Sequence, residues 1–227
     1  MNKILHLSLT LMVISAISAL SIAFVNRSTA PQMYELRQEQ EQEALRQVAP
    51  EYDSIIHDTV QYKDSLHEYW TVLHGDTLAA YIFSETTQGY AGAIEYLVGI
   101  SPSGDITGMS ILSHEETPGL GARISEIPSS RTMMDILLGR DSAERAPTPW
   151  FTDQFTGLSV TSQITADRSS SEWPSLSQTE QEHLRDTNTI TVITGATIST
   201  EAVLSSLFTT PVELHSKLLE KGSSHGK

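Results

Sequence analysis

Apolar positions crowd the beginning of the chain. Ile4 to Val25 is a run of 22 residues without a formal charge, rich in Leu, Ile, Ala and Ser. As a helix it is roughly 33 Å long, enough for a hydrocarbon core of about 30 Å. The run predicts a single membrane-spanning helix within an anchor at 1–30. It exceeds the apolar core of a secretory signal, about 7–15 residues. A cleaved signal is the competing reading, with Ser28-Thr29-Ala30 as its small-residue cleavage site. Both readings send the rest of the chain out of the cytoplasm. Lys3 and Arg27 flank the run on opposite sides, so the charge bias leaves the orientation open.

Beyond the anchor the pattern turns polar. Pro31 to Val48 is rich in Glu and Gln and predicts a helical stalk stopped near Pro50, within a linker at 31–68. From Tyr69 apolar and polar positions begin to alternate. Two such runs, Trp70 to His74 and Thr77 to Phe83, flank Gly75-Asp76, a hairpin signal. Tyr90 to Ile100 and Ile106 to Leu112 predict two more strands around the turn Ser101-Pro102-Ser103-Gly104-Asp105. Helical spacing appears later, over Arg131 to Leu138 with Gly139 as its stop, and again over Ser199 to Thr210. Thr210-Pro211-Val212-Glu213 predicts a capping box that opens a last helix ending at Gly222. Ile190 to Ile193 predicts a buried strand, and the polar 160–189 segment predicts an irregular insertion. Strands first and helices afterwards predict an α+β fold, a mostly antiparallel sheet with helices packed on one face. That domain would occupy 69–222, with a short tail at 223–227.

Charge and composition narrow the function. Fourteen Lys and Arg stand against 28 Asp and Glu, a formal net charge of −14. Such a surface repels phosphate backbones, which excludes general nucleic-acid binding. Cysteine is absent, which removes disulfides, thiol catalysis and Cys-ligated metal clusters. The histidines, among them His57, His67, His74, His183 and His215, show no metal-ligand spacing. No phosphate-binding P-loop and no Gly-x-Ser-x-Gly elbow is present.

Two segments carry candidate chemistry. His114-Glu115-Glu116-Thr117-Pro118-Gly119-Leu120-Gly121 is a constrained turn whose glycines let the backbone approach another group closely. Its bland reading is a Pro-Gly turn on an acidic surface. Thr194-Gly195-Ala196-Thr197-Ile198-Ser199-Thr200 lies between a predicted strand and a predicted helix. Small residues leave space around the Thr197 hydroxyl, and a helix N-terminus there would favour a phosphate. Its bland reading is an ordinary N-cap.

Taken together and in this order, the two segments resemble the FMN-binding domain family. Its members include the G subunit of the Rnf electron-transport complex and the C subunit of the sodium-pumping NADH:quinone oxidoreductase. In that family a Ser/Thr-Gly-Ala-Thr motif carries FMN through a phosphoester on its last threonine, which matches Thr197. The resemblance covers about Tyr69 to Phe208. It implies that Thr194, Gly195 and Ala196 bound the phosphate and that Glu116, Thr117, Leu120 and Gly121 border the flavin ring. Trp150-Phe151-Thr152-Asp153-Gln154-Phe155 is similar to a stretch of the Rnf G subunit. An Asp commonly precedes the motif by three residues in the family; Thr191 stands there in this chain.

The resemblance further implies an electron carrier of a membrane complex, anchored by one helix, with its soluble domain on the extracytoplasmic side. Its partners would be the other subunits, the membrane, and a flavin transferase that uses FAD and a divalent cation. No catalytic residue and no metal of its own are expected. The quinone-reductase subunit and a cofactor-free anchored scaffold are the alternatives.

Overall fold

The computed structural model of the chain describes residues 2–63, 65–127 and 149–224. It divides into two units, Met1–Glu43 and Ala44–Lys227.

Helix α1 (Asn2–Val48) runs the length of the first unit. Its apolar window has a mean hydropathy of 2.2 and none of it is buried within the protein, as suits a helix that lipid must cover. Hydroxyls inside that stretch bond to carbonyls one turn back, Thr10 to His6 and Ser21 to Ile17, each at 2.8 Å. They therefore need no water at membrane depth. The expected anchor at 1–30 and the helical stalk that follows it are one uninterrupted helix, which continues through Pro31. A lone proline removes one ladder bond, and the Gln, Glu, Leu and Arg that follow carry the helix on.

In the second unit, β1 (Ser54–Tyr62), β2 (Ser65–His74), β3 (Thr77–Gln88), β4 (Ala93–Ile100) and β5 (Ile106–His114) form one antiparallel sheet in chain order. The turn between β2 and β3 is the expected Gly75-Asp76, with Gly75 at φ +60°. The sheet also takes in residues 54–62 and 65–68, which the sequence pattern assigned to the linker. β1 is an edge strand whose side chains are mostly exposed and include His57, Asp58 and Gln61. Its alternation is consequently faint.

Both faces of the sheet are covered. Tyr69, Phe83, Tyr96, Val98 and Met109 face the larger core. That core is completed by α4 (Thr197–Thr209) and α5 (Pro211–Ser224), through Val203, Leu207, Leu214 and Leu218. Trp70, Val72, Ala80, Ile82 and Leu97 point the other way and meet Ala44, Leu45 and Val48 from the last turns of α1. So the helices lie on one face, as expected, while the end of α1 closes the second. Gly99 and Gly108 pair across β4 and β5 at that contact. A Cβ on Gly108 would stand 2.9 Å from Val48 Cα, so only a bare backbone admits the helix end. Thr107 Oγ1 donates to the Val48 carbonyl at 2.9 Å, satisfying one acceptor that the helix end leaves over.

Between sheet and α4 lie a 3₁₀ turn (Gly121–Ser125), a single helical turn α2 (Trp150–Asp153), β6 (Thr165–Asp167), a second 3₁₀ turn (Trp173–Ser175), α3 (Gln178–Asp186) and β7 (Thr189–Thr191). β6 and β7 pair in parallel. The helix expected over Arg131 to Leu138 falls outside the described residues. The 160–189 segment is not the irregular insertion the sequence suggested. Trp173 and Leu184 are buried, Ser177 and Glu180 form a reciprocal capping box on α3, and Asn188 turns the chain into β7 at φ +53°. α3 is polar on most of its surface, so its period was weak, and the Ser-x-x-Glu box was the signal left to find it. Glu213, expected as the capping partner of Thr210, has its carboxylate engaged by Tyr62 and Lys63.

Candidate functional site

Where β5 ends, the chain must reverse, and the Thr117-Pro118-Gly119-Leu120 turn does this with Leu120 N–H donating to Thr117 O at 3.1 Å and Gly119 at φ +75°. The 3₁₀ turn that follows is tied back to β5 by His114 Nε2 and Ser125 Oγ, 2.9 Å apart. Glu116 is buried to 6% exposure beneath it. Its Oε1 accepts from Ala91 N–H at 3.3 Å, and Oε2 has no hydrogen-bond partner among the described residues. Two glycines make room for this carboxylate. A Cβ on either Gly89 or Gly121 would fall 2.0 Å from one of its oxygens.

The opposite wall is the start of α4. Gly195 takes φ +80°, which a Cβ-bearing residue adopts only with strain. Ala196 N–H closes the turn on Ile193 O at 2.9 Å, and the first helical bond runs from Thr200 N–H to Ala196 O at 3.1 Å. The N-cap is Ala196, and no side chain caps the helix. The N–H groups of the first turn are therefore left for another acceptor, at the positive end of the helix dipole. The Thr197 hydroxyl has no partner among the described residues and is half-buried. Ser199 Oγ is fully buried and also without a partner.

A carboxylate from outside the motif fixes this wall. Glu172 accepts from Thr194 N–H at 2.9 Å and is gripped by both terminal nitrogens of Arg123 at 2.7 Å. The guanidinium, aided by the Thr194 donors, pulls the Glu172 carboxyl down to about 2. Arg123 also bonds Glu126 at 2.9 Å and is pushed further up by its carboxylate partners. Arg123 stands on the 3₁₀ turn of one wall, so the pair ties the two walls together.

Between the walls is a cavity of about 370 Å³, lined by Tyr90, Glu116, Thr117, Leu120, Gly121, Gly195, Ala196, Thr197, Ile198 and Ser199. The structure thus brings together Glu116, Thr117, Leu120, Gly121, Gly195, Ala196 and Thr197 of the residues singled out from sequence. Thr194 does not line the cavity and turns to Glu172. Tyr90, Glu172 and Arg123 were missed, while Ile198 and Ser199 lay in the segment singled out but were not assigned to the cavity lining. A signal for Tyr90 existed in its glycine flanks, Gly89 and Gly92; Glu172 had none at sequence level. Leu120 approaches Gly195 so closely that a Cβ there would be 3.2 Å from Leu120 Cδ2.

Position 191, where the family commonly has Asp, carries a buried Thr whose hydroxyl donates to Gln154 Oε1 at 3.2 Å and accepts from Trp173 N–H at 3.1 Å. Gln154 also accepts from Thr191 N–H at 2.8 Å, which places the Trp-Phe-Thr-Asp-Gln-Phe stretch behind β7. Among the described residues no group of His, Asp and Glu stands together as a metal site.

The residues fit a flavin mononucleotide. The volume lies within the range of about 300–1,000 Å³ of small-molecule sites, the free N–H groups and the orphaned Ser199 hydroxyl suit a phosphate, and the apolar rim suits a flat ring.

The model of the FMN-binding domain family matches residues 89–208. The G subunit of the Na(+)-translocating ferredoxin:NAD(+) oxidoreductase complex of Acetobacterium woodii is 27% identical, over 89% of this chain and 87% of that one. The G subunit of the ion-translocating oxidoreductase complex of Aliivibrio fischeri is 30% identical, over 68% and 80%. Its counterpart in Methanosarcina acetivorans is 28% identical, over 91% and 92%. Among solved structures, the C subunit of the Na(+)-translocating NADH-quinone reductase of Parabacteroides distasonis superposes with a TM-score of 0.47 at 15% identity, over 78% of this chain and 91% of that one.

Proposed function

The chain belongs to the FMN-binding domain family, and from that premise we propose that it is the membrane-anchored G-type subunit of an ion-translocating oxidoreductase complex, carrying FMN esterified to Thr197. The observation that carries this reading is the meeting of both sequence motifs around one cavity at the uncapped start of α4.

The acceptor chemistry follows from that start. The Thr197 hydroxyl has no hydrogen-bond partner among the described residues, so none of those bonds has to break before it reacts. In the transfer from FAD, the bond between Thr197 Oγ and the riboflavin-side phosphorus forms, the pyrophosphate bond breaks, AMP leaves and the hydroxyl proton goes to solvent or the transferase. A separate flavin transferase brings the divalent cation. Afterwards the first-turn N–H groups and Ser199 Oγ hold the phosphate, while Leu120, Ile198 and Gly121 shield the ring from water. The flavin supplies one- or two-electron redox chemistry, and the chain supplies its position and surroundings. An ester retains the group on the extracytoplasmic side, where a dissociated flavin would be lost.

Intact mass of the full chain, co-expressed with a flavin transferase, tests the acceptor. The expected gain is the mass of FMN less one water, absent in Thr197→Ala. A Thr197→Ala chain with the same gain overturns Thr197, and a wild-type chain with none leaves the cofactor-free scaffold. The side of the membrane is tested through the absence of cysteine. Asp76→Cys, in the exposed β2–β3 turn, should react with an impermeant maleimide on intact cells. Labelling only after lysis would put the domain in the cytoplasm.

A further inference from the structure

Tyr90 breaks the local rules of the turn it occupies. β3 and β4 are joined by a tight hairpin in which Gln88 pairs with Ala93 and Gly89 N–H donates to Gly92 O at 2.8 Å, leaving Tyr90-Ala91 at the tip. Short hairpin tips favour Asn, Asp and Gly, and a tyrosine there gains nothing from the turn. It gains nothing from the core either, since it is 70% exposed. Yet the tip is packed against the β5 end: Ala91 N–H donates to Glu116 Oε1 at 3.3 Å, and a Cβ on Gly92 would lie 2.4 Å from Glu115 Cβ. The side chain so held lines the cavity. Leu120, 47% exposed, and Ile198, 54% exposed, line it too. Three large, exposed apolar side chains around one opening mark a surface built to meet a flat apolar group.

We infer that Tyr90 is an aromatic contact of the flavin ring, clamped at the hairpin tip by Glu115 and Glu116 and acting on the ring's exposure and photophysics. The inference rests on the FMN reading of the same cavity. A phenol stacked on a flavin gives an electron to the excited ring and takes it back as the ring returns to its ground state. The chemistry is unchanged and the fluorescence is quenched. A phenyl or leucyl side chain cannot donate that electron, whereas an indole can. The phenyl ring retains the stacking contact and the leucyl side chain does not.

The test uses the full chain, flavinylated by co-expression and compared at equal covalent flavin by mass and visible absorbance. Tyr90→Leu and Tyr90→Phe should each raise the flavin emission well above the wild-type level, because neither side chain supplies the quenching electron. Tyr90→Trp should stay dim. Quenching by iodide should rise in Tyr90→Leu and stay near the wild-type level in Tyr90→Phe. A fully loaded chain whose brightness and iodide access ignore position 90 overturns the inference alone. A wild-type chain that gains no flavin mass removes the FMN reading, and this inference with it.

Discussion

The cavity has two walls, each fastened by one carboxylate in a different way. Glu116 is a wedge: buried, with one modest hydrogen bond and an orphaned oxygen, held by the absence of side chains on Gly89 and Gly121. Glu172 is a tie: less buried, held by a two-pronged Arg123 and by Thr194 N–H. A wedge depends on shape and fails when volume is added. A tie depends on charge and fails when protons are added. The cavity wall after β5 is thus held by shape and the wall at the start of α4 by charge.

The wedge predicts the largest effect. Gly121→Ala places a methyl 2.0 Å from Glu116 Oε2 and 2.7 Å from its Cδ. One of the two must move, at a cost of about 2–3 kcal/mol, typical of overpacking. The Thr117–Leu120 turn should shift with it, so flavin loading measured by intact mass should drop severely. Gly119→Ala is the control, because open space surrounds that Cβ and only the φ of +75° is strained, worth about 1–2 kcal/mol. Adding Glu116→Ala to Gly121→Ala should recover much of the lost thermal stability. No recovery would mean that the glycine serves something other than the carboxylate.

The wedge and the tie also differ in how far the sequence announced them. Glycines, proline and a threonine before a helix have local physical meanings, so both motifs could be placed on turns; that the two meet was implied only by the family resemblance. The hairpin at Gly75-Asp76 was legible for the same reason. Glu172 was not, because its partners are Arg123 and Thr194, 49 and 22 residues away, and its own neighbourhood of serines reads as a loop. β1 was invisible because an edge strand buries too little to force alternation. The glycine pair under the end of α1 shows the converse difficulty. A glycine inside a strand ordinarily weakens it, and only the register of β4 on β5 makes Gly99 and Gly108 a seat for Val48.

The tie gives the smaller effect, and pH exposes it. Bound by Arg123 and Thr194, the Glu172 carboxyl titrates at about 2 in the folded chain instead of near its ordinary 4.5. Its folded pKa is depressed, so its stabilisation is fully present above about 4.5 and is lost as pH falls through about 2. Arg123 remains protonated throughout, and the response belongs to the carboxylate alone. Glu172→Gln keeps the shape and removes the charge. At pH 7 it should lower stability by about 1–2 kcal/mol, discounted for a side chain still 23% exposed. In a protein of this size that amounts to a fall in Tm of roughly 3–6 °C. Between pH 5 and pH 2 the wild-type and Glu172→Gln curves should converge, because acid performs on one chain what the substitution has performed on the other. Curves that stay parallel across that interval would show that Glu172 acts by packing and not by charge, and the two walls would then be held by the same means.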